Sequence, residues 1–177
     1  IRSLIRGPSE TLLSEWGVTF FGVFFVAWSL SHLLLIRDFR PLGLELTFYL
    51  FAAIWSADTG AYLIGSRFGK HRLASDVSPK KSWEGFIGGL VAVIAVSILF
   101  QRGMFRPYMN ISEAAILGAV IGTLSTVSDL SESLLKRCAG VKDAFPVLPG
   151  HGGFLDRFDS FILTAPMFYY YWAFFKH

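Results

Sequence analysis

The chain has little charge and almost no cysteine. Charged residues make up 16% of its 177 residues, whereas a soluble domain normally carries about 25%. Cys138 is the one cysteine, so the chain cannot form an intrachain disulfide, and no Cys/His set has the spacing of a zinc site. A net charge of +3 gives no case for nucleic acid as a partner. The sequence also shows no internal repeat and no low-complexity stretch.

Long apolar runs account for the shortage of charge. A helix needs about 20 apolar residues to cross a bilayer, and in lipid it is the form that satisfies its own backbone hydrogen bonds. Five runs are candidates: Trp16 to Ile36, Leu44 to Ile64, Gly85 to Phe100, Ala114 to Leu135 and Phe158 to Phe175. The third is short for a full crossing, which leaves two alternatives: it extends into its flanks, or it is thinner than the others. The sequence predicts an all-α polytopic membrane protein with about five transmembrane helices and two long basic cytoplasmic loops.

The orientation follows from the basic residues. When loops alternate between the two sides, most of the 16 Lys and Arg residues fall on the side of the N-terminus and of the two long loops. The positive-inside rule places that side in the cytoplasm. The chain begins with Ile1, so we expect residues 1–177 to be a single transmembrane catalytic domain forming the C-terminal part of a longer chain. The compact loops favour a bacterial inner membrane.

Two acids lie inside predicted spans. At 1.5 Å per residue, Asp58 and Asp129 both lie about 9 Å below the predicted cytoplasmic surface. An ionised Asp in lipid costs at least about 2.5–3.5 kcal/mol, so such residues usually face the interior of a helix bundle and have a function. Their matched depth predicts that both face one cavity. A structural hydrogen bond between helices remains the alternative, above all for Asp58.

Further polar residues extend from Asp129 along one helical face, at i+3, i+4 and i+7: Glu132, Ser133 and Lys136. Asp156 and Asp159 repeat the i, i+3 spacing at the start of the fifth span. Carboxylates gathered at one cytoplasmic mouth repel each other unless a cation lies between them. Mg²⁺ prefers one or two carboxylates together with substrate phosphates. The pattern therefore predicts a membrane enzyme that handles phosphorylated substrates.

The other long loop carries bases in a setting that suits phosphate. Ser78, Lys80 and Lys81 precede the head of the third span, and a helix N-terminus beside paired lysines favours anions. The alternative is a polybasic loop that enforces topology or contacts anionic lipid. His151 lies between glycines, where a phosphate or nucleotide contact and a structural loop hydrogen bond are equally open.

These residues together carry a resemblance. Ser133 to Asp159 contains a Ser, a Lys-Arg pair, a Lys-Asp pair, Pro-Gly-His-Gly-Gly and Asp-Arg-x-Asp, in that order. It resembles the signature of the CDP-diacylglycerol synthase (phosphatidate cytidylyltransferase) family. The likeness continues upstream in Ala57 to Tyr62 and in Ser78 to Gly85, and covers about residues 50–165. The chain departs from the family pattern at Ser128, where Gly is usual, and at Phe145, where a small residue is usual.

The resemblance implies that CTP and phosphatidic acid react to give CDP-diacylglycerol and pyrophosphate, with Mg²⁺ as cofactor and a second cation left open. The family's metal-binding acids map onto Asp129 and Asp156, and we add Asp159 as a metal ligand. The hypothesis assigns catalysis to Asp129, Asp156, Lys136, Arg137, Lys142, Asp143, His151 and Arg157. It assigns substrate binding to Ser78, Lys80, Lys81, Ser133 and Asp58. The expected partners are CTP, phosphatidic acid and membrane lipids but no nucleic acid, with a homodimer left open.

Two other functions remain as alternatives. A CTP-dependent kinase of a lipid alcohol would share the membrane setting and the nucleotide, but it would need a base for its acceptor and would release CDP. An ion or solute transporter would also use acids at matched depth. Transporter sites, however, lie near the bilayer midplane and often use paired repeats, whereas here the charges gather at one surface.

Overall fold

The computed structural model describes residues 11–140, 153 and 155–176. These residues form five helices and one short antiparallel hairpin. The helices are α1 (Leu12–Arg37), α2 (Gly43–Phe68), α3 (Trp83–Phe105), α4 (Ile111–Cys138) and α5 (Phe161–Phe175). The strands, between α2 and α3, are β1 (Arg72–Ala74) and β2 (Ser78–Ser82). The prediction of an all-α membrane protein is confirmed, with the hairpin as an unpredicted addition.

Three of these helices are long and apolar enough to cross a membrane by length and composition: α1, α3 and α4. Helix α3 extends beyond both predicted ends, which is the first of the two alternatives for its short apolar run. That α2 and α5 also cross stays a prediction. The predicted start of the fifth span is wrong: α5 begins at Phe161 instead of Phe158. A 3₁₀ turn over Leu155–Arg157 precedes it, held by the N–H of Gly153, which donates to Asp156 Oδ2 at 2.8 Å.

Helices α2 and α3 form the closest helix pair, and small residues line their contact. A Cβ atom on Gly60 would lie 2.8 Å from the carbonyl oxygen of Gly88 and 2.7 Å from Cβ of Ala92. Membrane helices use such residues because close backbone approach increases van der Waals packing where no hydrophobic driving force exists. The small-residue contact holds the two helices that carry the hairpin.

An aromatic core occupies the half of the bundle away from the hairpin. Tyr49, Phe105, Phe168 and Trp172 are all buried there and stack edge to face or at a tilt. The hydroxyl of Tyr49 donates to Ser97 Oγ at 2.9 Å, which satisfies a polar group inside this core. The aromatic core therefore occupies one end of the bundle, and the hairpin with its lysines lies at the other.

The hairpin returns the chain from the end of α2 to the start of α3. Arg72 pairs with Ser82 and Ala74 with Ser78. Ser82 is then the N-cap of α3, because its Oγ accepts from the N–H of Gly85 at 3.1 Å. The two strands thus place β2 directly over the head of α3, beside α4.

Candidate functional site

One large cavity lies between the hairpin and helices α2, α3 and α4. Its volume is about 650 Å³, and we call it the main cavity. Charged and polar groups in its wall include Asp58 from α2, Asp129 from α4, and Lys80 and Lys81 from β2. Its wall also contains aromatic and apolar side chains, among them Tyr62, Phe86 and Leu90. The prediction that Asp58 and Asp129 face one cavity is confirmed.

Lys81 and Asp129 meet across this cavity. Lys81 Nζ lies 2.6 Å from Asp129 Oδ2, and each side chain is about a quarter exposed. The other carboxylate oxygen of Asp129 accepts a long hydrogen bond of 3.4 Å from Ser133 Oγ. The basic strand and the acidic helix face are therefore joined by charge, and both groups remain within reach of a ligand in the cavity.

A second cavity of about 380 Å³ adjoins the first on the other side of β2. It contains Lys80 and Ser78, which also line the main cavity, together with three residues from the end of α4: Ser133, Lys136 and Arg137. The structure thus brings all five of these predicted residues to one continuous basic surface. Arg157 is exposed and ends the 3₁₀ turn over Leu155–Arg157. Lys142, Asp143 and His151 lie outside the described residues.

Lys136 bridges two acids. Its Nζ lies 2.6 Å from Glu132 Oε2 and 2.6 Å from Asp156 Oδ1. Glu132 is 1% exposed, and its Oε1 has no hydrogen-bond partner in the part of the chain that is described. A buried carboxylate oxygen without a donor is costly, and a cation or a donor from a substrate would relieve that cost. The i, i+3, i+4, i+7 stripe on α4 therefore forms the predicted polar face.

Ser128 links α4 to the acids before α5, and the sequence analysis gave it no role. Its hydroxyl donates to the carbonyl oxygen of Asp159 and accepts from the N–H of Leu163 at 3.2 Å. Ser128 is the residue that departs from the family pattern, and it is fully buried. Its departure from the family pattern was the signal in the sequence, but local spacing does not show which segment its hydroxyl contacts.

Asp159 is half-buried in the turn before α5. Burial and the nearby negative charge of Asp129 raise the pKa of Asp159 to about 7, against an ordinary value of 3.8, although the N–H of Ser160 donates to its Oδ1. A raised pKa is expected where carboxylates share a site without a cation. The charge of Asp129 therefore acts on the carboxyl group of Asp159.

The donor set suits Mg²⁺ in type, because it consists of carboxylates with one unpartnered buried oxygen. Within residues 11–140, 153 and 155–176, however, no group of three or more acidic, His or Cys side chains is gathered closely enough to hold a metal ion. Lysines instead contact Asp129, Glu132 and Asp156. The assignment of Asp129, Asp156 and Asp159 as ligands stays a prediction, and it requires these lysines to move toward substrate phosphates.

Comparison with known proteins adds independent information. A family model described as "Cytidylyltransferase family" matches residues 3–175. A phosphatidate cytidylyltransferase from Synechocystis is 48% identical over 131 residues, which is 74% of this chain and 44% of that protein. A phosphatidate cytidylyltransferase from Bacillus subtilis is 38% identical over 92% of this chain and 60% of its own length. A phosphatidate cytidylyltransferase from Brucella suis is 35% identical over 97% of this chain and 64% of its own length. The chain thus spans about half to two thirds of the length of these curated relatives.

Proposed function

Because the chain belongs to the cytidylyltransferase family, we propose that it carries the active site of an integral-membrane phosphatidate cytidylyltransferase. The reaction joins phosphatidic acid to CTP. A phosphate oxygen of phosphatidic acid attacks the α-phosphorus of CTP, the bond from that phosphorus to the bridging oxygen breaks, and pyrophosphate leaves. The products are CDP-diacylglycerol and pyrophosphate. The proposed setting is a bacterial inner membrane, with the site facing the cytoplasm.

The observation that carries the proposal is the wall of the main cavity. It combines lysines from β2 with Asp58 and Asp129 from two helices, together with apolar surface that includes Phe86 and Leu90. A phospholipid substrate needs cationic groups for its phosphate at the membrane interface and apolar surface for its acyl chains. A soluble nucleotide needs a basic approach from water, which the second cavity supplies with Lys136 and Arg137.

The main difficulty of this reaction is electrostatic, because two polyanions have to meet. The nucleophile is already anionic near neutral pH, so a strong general base is dispensable. Lys80, Lys81, Lys136 and Arg137 would bind and orient the phosphates for in-line attack. Asp129 and Asp156 would hold Mg²⁺, with Asp159 and Glu132 as further ligands. Bound there, Mg²⁺ would neutralise charge on the triphosphate and on departing pyrophosphate.

Pyrophosphate release from purified, detergent-solubilised full-length protein tests the proposal. CTP, Mg²⁺ and phosphatidic acid are supplied together and then omitted one at a time. Release that requires all three, with a CDP-lipid product, supports the proposal. Release of CDP with a lipid alcohol would instead establish a lipid kinase. No nucleotide turnover under any condition would contradict an enzymatic function.

A further inference from the structure

Glu84 closes the base of the hairpin. The backbone N–H of Lys70 donates to Glu84 Oε2 at 3.1 Å, and the N–H of His71 donates to the same oxygen at 3.2 Å. His71 Nδ1 lies 2.6 Å from Glu84 Oε1. In the opposite direction, the N–H of Trp83 donates to the carbonyl oxygen of His71 at 2.9 Å. One side chain from the first turn of α3 thus holds the segment where the chain leaves α2.

The same base leads directly to Lys81. Arg72, which follows His71, pairs in register with Ser82, which follows Lys81. Space at this point is tight, because a Cβ atom on Gly69 would lie 2.7 Å from Ser82 Oγ and 2.3 Å from the carbonyl oxygen of Gly65. A shift of the chain at His71 would therefore be transmitted through the strand pair to Lys81 and its contact with Asp129.

The contact is poorly suited to a role in overall stability. The His71 side chain is 79% exposed and that of Glu84 is 26% exposed. Even two fully charged partners contribute only about 0–1 kcal/mol in an exposed contact, and the aromatic core lies at the far end of the bundle. The effect of Glu84 is local, because its carboxylate accepts from the N–H groups of Lys70 and His71, which would otherwise bind water.

We propose that Glu84 is a positioning residue that fixes Lys81 in the main cavity by holding the N–H groups of Lys70 and His71. This inference rests on the proposed function, because it assigns Lys81 to substrate phosphate. Glu84→Ala removes both acceptors and is expected to lower kcat/KM about tenfold, since small displacements of substrate-positioning groups are costly. Glu84→Gln keeps an oxygen for the two N–H groups and is expected to stay within about threefold of wild type.

A double-mutant cycle in the full-length, detergent-solubilised protein tests the inference. If Glu84 acts through Lys81, Glu84→Ala in a Lys81→Ala background lowers kcat/KM by less than about twofold further. Independent tenfold losses that multiply would overturn the inference, as would a Gln variant as impaired as the Ala variant. The matched control is Glu113→Ala at the far end of α4. Glu113 likewise accepts a backbone N–H, from Asn110, and pairs with a lysine. Its effect is expected to multiply with that of Lys81→Ala.

Hydrogen exchange separates failure of this inference from failure of the proposed function. The amides of Lys70 and His71 are expected to exchange faster in Glu84→Ala than in wild type and to stay slow in Glu84→Gln. This readout does not depend on turnover. If the wild-type protein releases no pyrophosphate, the proposed function fails, while exchange still reports on the contact. Unchanged exchange in Glu84→Ala would overturn the positioning role even in an active enzyme.

Discussion

Lys81 Nζ lies 2.6 Å from Asp129 Oδ2, and this ion pair joins the hairpin to α4 at the wall of the main cavity. In the proposed reaction the two groups have different partners: the ammonium of Lys81 binds a phosphate, and the carboxylate of Asp129 binds a cation. Their mutual contact neutralises two charges in a partly buried place. When substrate binds, its phosphate would replace Asp129 as the partner of Lys81, and the accompanying cation would replace Lys81 as the partner of Asp129.

Asp129→Asn should therefore abolish turnover while leaving the fold intact. The amide keeps the shape of the side chain but cannot hold a cation through a negative charge. We expect pyrophosphate release to fall by at least about 100-fold, because interactions of this kind contribute several kcal/mol in transfer reactions. Melting of the purified protein in detergent should change little, since a quarter-exposed pair contributes only modestly to stability.

Glu113→Gln is the matched control for this experiment. Glu113 lies on the same helix, and its carboxylate contacts Lys176 at 3.0 Å at the opposite end of the bundle. Pyrophosphate release should remain near wild type in this variant. Activity within about twofold of wild type in Asp129→Asn would contradict the metal assignment.

Asp156 and Mg²⁺ should both be as necessary for pyrophosphate release as Asp129. EDTA is expected to stop pyrophosphate release and added Mg²⁺ to restore it. In Asp156→Asn, Mg²⁺ should fail to restore turnover, because the neutral amide lacks the negatively charged oxygen that Mg²⁺ prefers as a ligand. A titration of Mg²⁺ against initial rate in both proteins measures this. Full activity of the variant at saturating Mg²⁺ would show that Asp156 is not an essential ligand.

Much of this site could be predicted from local spacing. Glu132, Ser133 and Lys136 had to share a face with Asp129 once α4 was helical, and the structure links Asp129 to Ser133 and Glu132 to Lys136. The matched depth of Asp58 and Asp129 likewise predicted one cavity. These relationships depend on helical period and on rise per residue, which the sequence specifies directly.

Relationships between distant segments could not be predicted in the same way. The hairpin has a three-residue strand over Arg72–Ala74 without an alternating apolar pattern, so no period-2 signal existed. The contact from Lys81 to Asp129 depends on how that hairpin lies over α4. The link from Ser128 to the turn at Asp159 depends on where α5 begins, and the sequence placed that start three residues too early.

The small-residue contact between α2 and α3 should be sensitive to a single methyl group. In Gly60→Ala the new Cβ would lie 2.8 Å from the carbonyl oxygen of Gly88, so the helices would have to separate. Overpacking of this kind costs about 1–3 kcal/mol. We expect a lower melting temperature in detergent and reduced turnover, because α2 and α3 carry the hairpin. Gly103→Ala is the control, since its new Cβ would meet nothing within 4 Å. Equal melting temperatures for the two variants would contradict the close packing.

Asp159 gives the protein a pH dependence with a definite sign. Its pKa of about 7 in the folded state exceeds the ordinary value of 3.8, first because of burial and then because of Asp129. Between about pH 4 and pH 7 the folded protein therefore holds a proton that the unfolded chain releases, so this group's contribution to stability falls as pH rises through that range. Asp159→Asn removes the penalty. In EDTA, the melting temperature of the variant should rise relative to wild type from pH 4 to pH 7 and level off above pH 7. Adding Mg²⁺ should narrow the difference, because a bound cation favours the ionised carboxylate. A difference that stays constant with pH would show that Asp159 titrates normally and that its charge is not opposed by Asp129.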